Sequence, residues 1–521
     1  MIKVSQAYKK AVYAPIRTVK GRVTFDISDT TIEDDTITTT TTPESVVSDK
    51  KQLTDKIREN TYKLATWEPD RFKLDGSFSF ADKVIKNNKS VGWVSDNLCD
   101  QLGEFSPNEV LTFEFGFEHS SMGITITFDD EYAIDFTVVA YKDNTIVDSV
   151  DVIDNKDIQV VVTGQFYLYN KIEVIIKKWS KPHRRARVAE VDFGVVRVYD
   201  DNGLIKMSLI EEMDLISSTI PSAEFKFTIY NKNREFNILN PKGFYKFLQE
   251  RQQVIPELGV MLNDNSVEYA RLGKFYLMDW ISDEGSLTAT FTARNVIDIM
   301  SSYNYENLSP KSNYSLYQMA IDILNICRVT NYEIDPVLKN IITNGLIKKT
   351  NCRNVLQMIA IAGMCNVYVS RDDKLIIKQS PLVLGDAVDT IDMVNMYKEP
   401  KIELDKIVKS VSVSYYDGLE TSLVYTEQNI DVKEGDNLKV DNNTLINTLS
   451  QATNVAKWAL KQKSYRAKYT ANWRGNPAHE LDDIVIIEDA YNQNNKSVIT
   501  KNELEYQGYL SGKTEARGLI T

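Results

Sequence analysis

Residues 484–487, Ile-Val-Ile-Ile, are four consecutive β-branched residues set between Asn476-Pro477 and the Asn-rich loop 491–495. Stiff at χ1 and crowded in a helix, such a run is a buried strand, and the flanking residues supply its turns. A returning strand is predicted from Ser497, with a further turn in Gln507-Gly508-Tyr509-Leu510-Ser511-Gly512. The segment contains no reactive group in a recognised frame. It reads as the closing hairpin system of a small barrel, which points to assembly rather than catalysis.

The same alternation opens the chain. Val23, Phe25 and Ile27 alternate with polar residues and bury one face of a strand. Residues 34–48, with the threonine run 38–42, are polar and of low complexity and are predicted as a surface loop. From residue 66 to about 198, short apolar runs recur at 124–128, 136–141, 158–162, 172–176 and 188–198. Asp129-Asp130, Asp143-Asn144 and Asp154-Asn155 punctuate them, and this spacing predicts an all-β sandwich.

Beyond Asp200-Asp201-Asn202-Gly203 the pattern is mixed. Strands are predicted at 223–230, with Phe225, Phe227 and Ile229 on one face, and at 272–281 and 287–293. Leu316, Met319, Ala320, Ile323, Leu324 and Cys327 keep helical spacing over 315–328. A second helix over 355–362 is predicted to stop at Gly363 and lead into a hairpin turning at Arg371-Asp372-Asp373. A long helix over 443–463 precedes a strand with Ala467, Tyr469, Ala471 and Trp473 on its buried face. Two barrel-like regions thus flank a small α/β module.

At 521 residues the chain exceeds a single core. Its net charge of -12 argues against a general nucleic-acid binder, which needs basic surface for phosphate. The opening Met1-Ile2-Lys3-Val4-Ser5-Gln6 lacks a signal-peptide core, and no apolar run approaches the ~20 residues that cross a bilayer. Synthesis in the cytoplasm, with no membrane embedding, is the expectation. Cys99, Cys327, Cys352 and Cys365 form no C-x-x-C pair, so buried thiols are expected rather than zinc. His119, His183 and His479 lie far apart, and neither G-x-S-x-G nor H-E-x-x-H is present. No catalytic, cofactor-binding or metal-binding residue is assigned, and the chain is read as a non-enzyme.

One basic cluster spans 177–187, and within it Trp179, Lys181, Arg184 and Arg185 are the candidates for contact with a glycan or an anion. The alternatives are a solvated turn between two sandwich strands or a contact to an acidic patch within an assembly. Asp129-Asp130-Glu131 could hold calcium, but it lacks the ligand periodicity of an EF-hand. Trp67, Trp93 and Trp179 would stack on sugar rings if exposed and fill the sandwich core if buried.

Three motifs together resemble the baseplate hub or tail-tip proteins of tailed bacteriophages and phage-tail-like particles. They are Ala14-Pro15-Ile16-Arg17 with Gly21-Arg22-Val23-Thr24-Phe25, the stretch from Asn354 to Gly363 before its hairpin, and Asn476-Pro477 through Asp483-Ile484. The 67–198 region, closing on Ala186-Arg187-Val188-Ala189-Glu190-Val191-Asp192-Phe193-Gly194, is similar to a discoidin-like, galactose-binding-type jelly roll. The resemblance implies an α+β, mainly β chain with two tube-protein-like barrels. The first comprises 1–65 plus 200–300, interrupted by the jelly-roll sandwich 66–199; a small α/β module fills 301–400 and the second barrel 401–521.

It also implies a homotrimer whose paired barrels form a pseudo-sixfold ring, matching a hexameric tail tube to a threefold central spike or tip. Tail tube, distal tail or baseplate, tape measure and spike proteins are the implied partners, with host cell-wall glycan a further one. DNA would pass an acidic lumen without specific binding, and the location would be the virion tail or a tail-like particle. Because the chain stops soon after the last barrel strands, any wall-degrading activity is expected on another polypeptide. The reading from another class is a cell-surface adhesin that binds glycans through the jelly roll.

Overall fold

The structure, a computed structural model, describes residues 1–29, 31–41, 44–45, 48, 50–56, 58, 63–79, 91–240, 243–282, 285, 287–379, 385–491 and 494–519. The chain is mainly β, with several antiparallel sheets and few helices. It divides into two compact units: Met1–Val23, Tyr199–Asn233 and Gln253–Thr521 form the first, and Thr24–Val198 with Arg234–Gln252 the second.

In the first unit one sheet runs through Gln253–Met261, Phe275–Ser282, Thr288–Arg294, Glu224–Tyr230, Leu204–Glu212, Asn494–Tyr506, Leu510–Gly518, Ala467–Trp473 and Lys401–Leu404. Alternation explains the strands: Phe225, Phe227 and Ile229 are buried on one, and Ala467, Tyr469, Ala471 and Trp473 on another. The joint between early and late strands is Leu204–Glu212 against Asn494–Tyr506, where Leu209 faces Leu504. The closing hairpins follow the sequence expectation, with Ile484–Glu488 paired to Asn494–Tyr506 and that strand paired in turn to Leu510–Gly518.

Beside this sheet lies an apolar core built from the helices Leu316–Ile326, Cys352–Gly363 and Leu449–Gln462 together with Val411 and Val413. Two helices have boundaries that differ from the sequence expectation. The middle helix begins three residues before Val355, because the Asn351 side chain accepts from the Asn354 backbone N–H and caps it. Its left-handed closing residue is Met364 (φ 58°), not Gly363. Gly363 is needed for another reason, since a Cβ there would meet Leu338 Cδ2 at 2.4 Å. The last helix starts at Leu449 rather than near 443, capped by Thr448, whose side chain accepts from the Gln451 N–H. Before it, Asn443 and Asn447 divert the chain into side chain–backbone bonds that compete with helix.

The second unit is a sheet ordered Trp93–Leu98, Arg185–Asp192, Glu104–Phe128, Gln159–Trp179, Ala133–Lys142 and Thr145–Val152. Runs expected as separate short strands are merged: 124–128 belongs to the 25-residue strand Glu104–Phe128, and 158–162 and 172–176 fall largely within Gln159–Trp179. Register shifts between Glu114 and His119 and between Ser121 and Gly123 bend the pair, and they break the alternation that the sequence would otherwise display.

The threonine run expected as a loop is instead the strand Thr36–Thr41, paired antiparallel with Glu104–Phe128. Threonine is β-branched, and an edge strand can take its stabilisation from the backbone ladder without apolar side chains. Residue 42 of that run lies outside the described residues. Further along the chain, Lys56 Nζ lies 3.0 Å and Arg58 Nη2 2.7 Å from Asp192 Oδ1, and Arg58 Nη2 lies 2.5 Å from Asp26.

Candidate functional site

Three of the four residues singled out by sequence, Trp179, Lys181 and Arg184, meet around the carboxylate of Glu131, while Arg185 turns to the strand Trp93–Leu98. Trp179 is 1% exposed; its Nε1 donates to Glu131 Oε2 at 3.0 Å, and its ring stands edge-on to Phe128. Arg184 Nε donates to Glu131 Oε1 at 3.3 Å, and Lys181 Nζ lies 3.2 Å from the same oxygen. Arg185 Nη1 donates to the Ser95 carbonyl at 2.9 Å and to the Asp96 carbonyl. Lys181 is the one of the four whose charged end is mostly in solvent.

The turn weighed for calcium supplies these bonds. Glu131 serves the cations above, and Asp130 accepts from Arg71 Nη2 at 3.0 Å. Among the described residues no group of three or more His, Cys, Asp or Glu is arranged to hold a metal. Neighbouring Arg187 is paired with buried Glu68. Burial pulls the Glu68 carboxyl up, but bonds and charge from Arg187 outweigh it and leave the pKa at about 2. Of the tryptophans, Trp93 is buried and Trp67 is 95% exposed.

In the first unit the motifs of the N- and C-terminal stretches meet. Arg17 Nη1 donates to Gly475 O at 2.8 Å and Val12 O at 3.0 Å, while Arg474 Nη2 donates to Ala14 O at 2.7 Å. Burial pushes the Arg17 guanidinium down to about 10. Beside them Asp389 Oδ2 accepts from Tyr13 Oη and from Asn476 Nδ2 (3.2 Å), and lies 2.8 Å from His479 Nε2. Asp389 thus joins the N-terminal stretch to the C-terminal one, while His479 Nδ1 is buried without a hydrogen-bond partner.

His119 has both ring nitrogens on carboxylates, with Nδ1 2.9 Å from Asp29 Oδ2 and Nε2 2.8 Å from Asp35 Oδ2. Burial opposes a charged ring, but the two carboxylates outweigh it and hold the imidazole pKa above its ordinary value. This triad lines a cleft of about 740 Å³ in the second unit, with Phe117, Glu118, Tyr167 and Phe247 on its walls. Sequence reasoning missed it. Asp29 and His119 are 90 positions apart, and the strand irregularity that turns Phe117 outward breaks the periodic signal.

Lys401–Leu404 ends the sheet of the first unit; it pairs with Ala467–Trp473, and among the described residues no strand lies on its other side. All four of its residues are exposed, including Ile402 and Leu404 at 47% and 57%.

No family model matches the chain, and no curated protein matches it. Among solved structures it is similar to a tail protein from Neisseria meningitidis MC58, at 10% identity and a TM-score of 0.42, over 62% of this chain and 93% of that one. It is also similar to the 43 kDa tail protein of prophage MuSo2 from Shewanella oneidensis, at 11% identity and a TM-score of 0.42, over 61% and 95%. The prophage tail protein gp18 from Listeria monocytogenes EGD-e gives 10% identity and a TM-score of 0.37, over 62% and 91%. These structural neighbours are phage tail proteins, alike in chain path at scores and identities that carry no functional argument.

Proposed function

We propose that the chain is a structural subunit of a phage tail or tail-like particle, acting as a baseplate hub or tail-tip protein. The observation that carries this reading is the continuous sheet of the first unit. Strands from residues 204–294 and from 467–518 join through one ladder, beside an apolar helical core. A chain offering two strand sets supplies six in a threefold ring, which adapts a hexameric tube to a threefold spike or tip. The open edge Lys401–Leu404 suits sheet extension from copy to copy. The work in this reading is done by extended surfaces, with no catalytic residue. In this reading residues 66–199 are a jelly roll inserted in the sequence of the first barrel, and tube, spike and tape measure proteins are the partners.

The test is the mass of the full chain by light scattering over a concentration series, alone and with tube and spike proteins. A trimer, or a ring formed only with those partners, is the expected result. A monomer under every condition sinks the proposal.

One observation favours a second reading, glycan binding through the second unit. Aromatic surface is exposed there at Trp67 and Phe117, at 95% and 75%. The corner of Trp179, Lys181, Arg184 and Arg185 offers mainly the Lys181 ammonium to such a ligand.

A further inference from the structure

We infer that the cleft beside His119 binds a saccharide carrying an ammonium group, an amino-sugar unit of a polysaccharide, held between its aromatic walls and its carboxylates. The inference rests on the glycan-binding reading of the second unit and does not depend on the assembly reading. The cleft volume of about 740 Å³ falls in the ~300–1,000 Å³ range of small-molecule sites.

The walls are of two kinds. Phe117 is 75% exposed and Tyr167 43%, from two adjacent strands at the point where both leave regular register. Tyr167 is stacked on Phe247, with ring centroids 6.3 Å apart and 28° between planes. Leu168, next to Tyr167, holds a left-handed backbone (φ 53°) and is half exposed. In this irregular stretch the Phe117 N–H donates to Asp35 and the Leu168 N–H to Ser120, Phe166 and Tyr169 are buried, and Phe117 and Tyr167 are left facing the cleft. Flat apolar faces of this size match the C–H face of a pyranose ring.

The second kind is acidic. Asp29, Asp35 and Glu118 line the cleft, against the single imidazole of His119. Glu118 is paired at 2.8 Å with Lys142, with both side chains 40% exposed, so that pair is open to exchange with a solute cation. Carboxylates accept from hydroxyls and attract an ammonium, while an anionic sugar would be repelled. The His119 bridge fixes Asp29 and Asp35 in place before any ligand arrives, which limits the ordering cost of binding.

The experiment is calorimetric titration of the full-length protein with a glucosamine trimer, its N-acetylated counterpart, a hexuronate trimer and trilysine. The expected order is glucosamine trimer first, N-acetylated trimer at least about tenfold weaker, and no binding of the hexuronate. Phe117→Ala and Glu118→Gln should each weaken the glucosamine trimer by about tenfold or more while the thermal midpoint stays in place, since both side chains are exposed. If Phe117→Ala lowers the midpoint, Tyr167→Ala takes its place. The inference is overturned by absence of glucosamine-trimer binding, or by binding that both aromatic variants leave intact. Equal affinity for the N-acetylated trimer or for trilysine overturns it as well, by removing either the ammonium or the sugar ring from the recognition. A monomeric protein that still binds the trimer leaves this inference standing while the ring proposal fails.

Discussion

Asp482 holds a left-handed backbone (φ 69°) at the turn before Ile484–Glu488, and its backbone N–H donates to the Ile499 carbonyl at 3.0 Å. Its Oδ1 is buried without a partner. Burial, reinforced by the charge of Asp483, pushes its carboxyl up to about 6. In the unfolded chain the group titrates near ~3.9, so between the two values the folded state binds more protons. Its contribution to stability is therefore most favourable below about pH 4, falls as pH rises through about 6, and is flat above that. Asn tolerates the same left-handed backbone and carries no charge. Asp482→Asn is expected to raise stability at pH 8 by up to about 2–3 kcal/mol, read as a higher unfolding midpoint, and to leave it nearly unchanged at pH 4. Thermal scans of both proteins at the two pH values check this, and an equal gain at both would refute the burial argument.

At the scale of elements, Thr448 decides where the last helix begins. Its side chain accepts from the Gln451 N–H, so Thr448→Ala is expected to cost about 1 kcal/mol, read as a lower urea midpoint with an unchanged slope. The helix itself was legible: Ala452, Ala456 and Ala459 recur at helical spacing and are buried. So were the strands Glu224–Tyr230 and Ala467–Trp473, where one buried face alternates with polar residues. Reading fails where the backbone rather than the side chains sets the structure. The run Thr36–Thr41 has no apolar alternation and is a strand because Glu104–Phe128 offers it a ladder. Met364 takes the left-handed position that Gly363 promised, and Gly363 stays within the helix, where a Cβ would meet Leu338 Cδ2. The cleft at His119 escaped for the same reason, since strand irregularities far apart in sequence bring its walls together.

At the scale of the molecule, Arg371 shows how the α/β part is fastened within the first unit. It turns the hairpin Cys365–Val369 to Leu375–Gln379, is 2% exposed, and donates to Glu211 Oε1 at 2.7 Å, His479 O at 3.1 Å and Leu272 O at 3.1 Å. Burial already pushes the Glu211 carboxyl up, with Arg371 opposing that shift. Arg371→Met removes the opposing charge and is expected to cost about 3–5 kcal/mol, with the hairpin and the strand Leu204–Glu212 losing amide-exchange protection together. Protection lost in the hairpin alone would show that the two parts are not one cooperative body. The outer edge of the same sheet tests assembly separately from folding. Lys401–Leu404 uses only its inner side, and a strand left open in this way is stable only if it is blunted or met by another chain. Its one exposed cation, Lys401, is held by Glu403 at 2.6 Å, which weakens its use as a charged guard. Ile402→Pro removes a backbone donor and fixes φ, so it bars sheet extension at a position that is 47% exposed. The expected outcome is a monomer with a nearly unchanged melting midpoint where the parent chain forms rings. A variant that still assembles would place the subunit contact elsewhere on the sheet, and a variant that melts early would show that Ile402 serves its own ladder with Tyr469 instead.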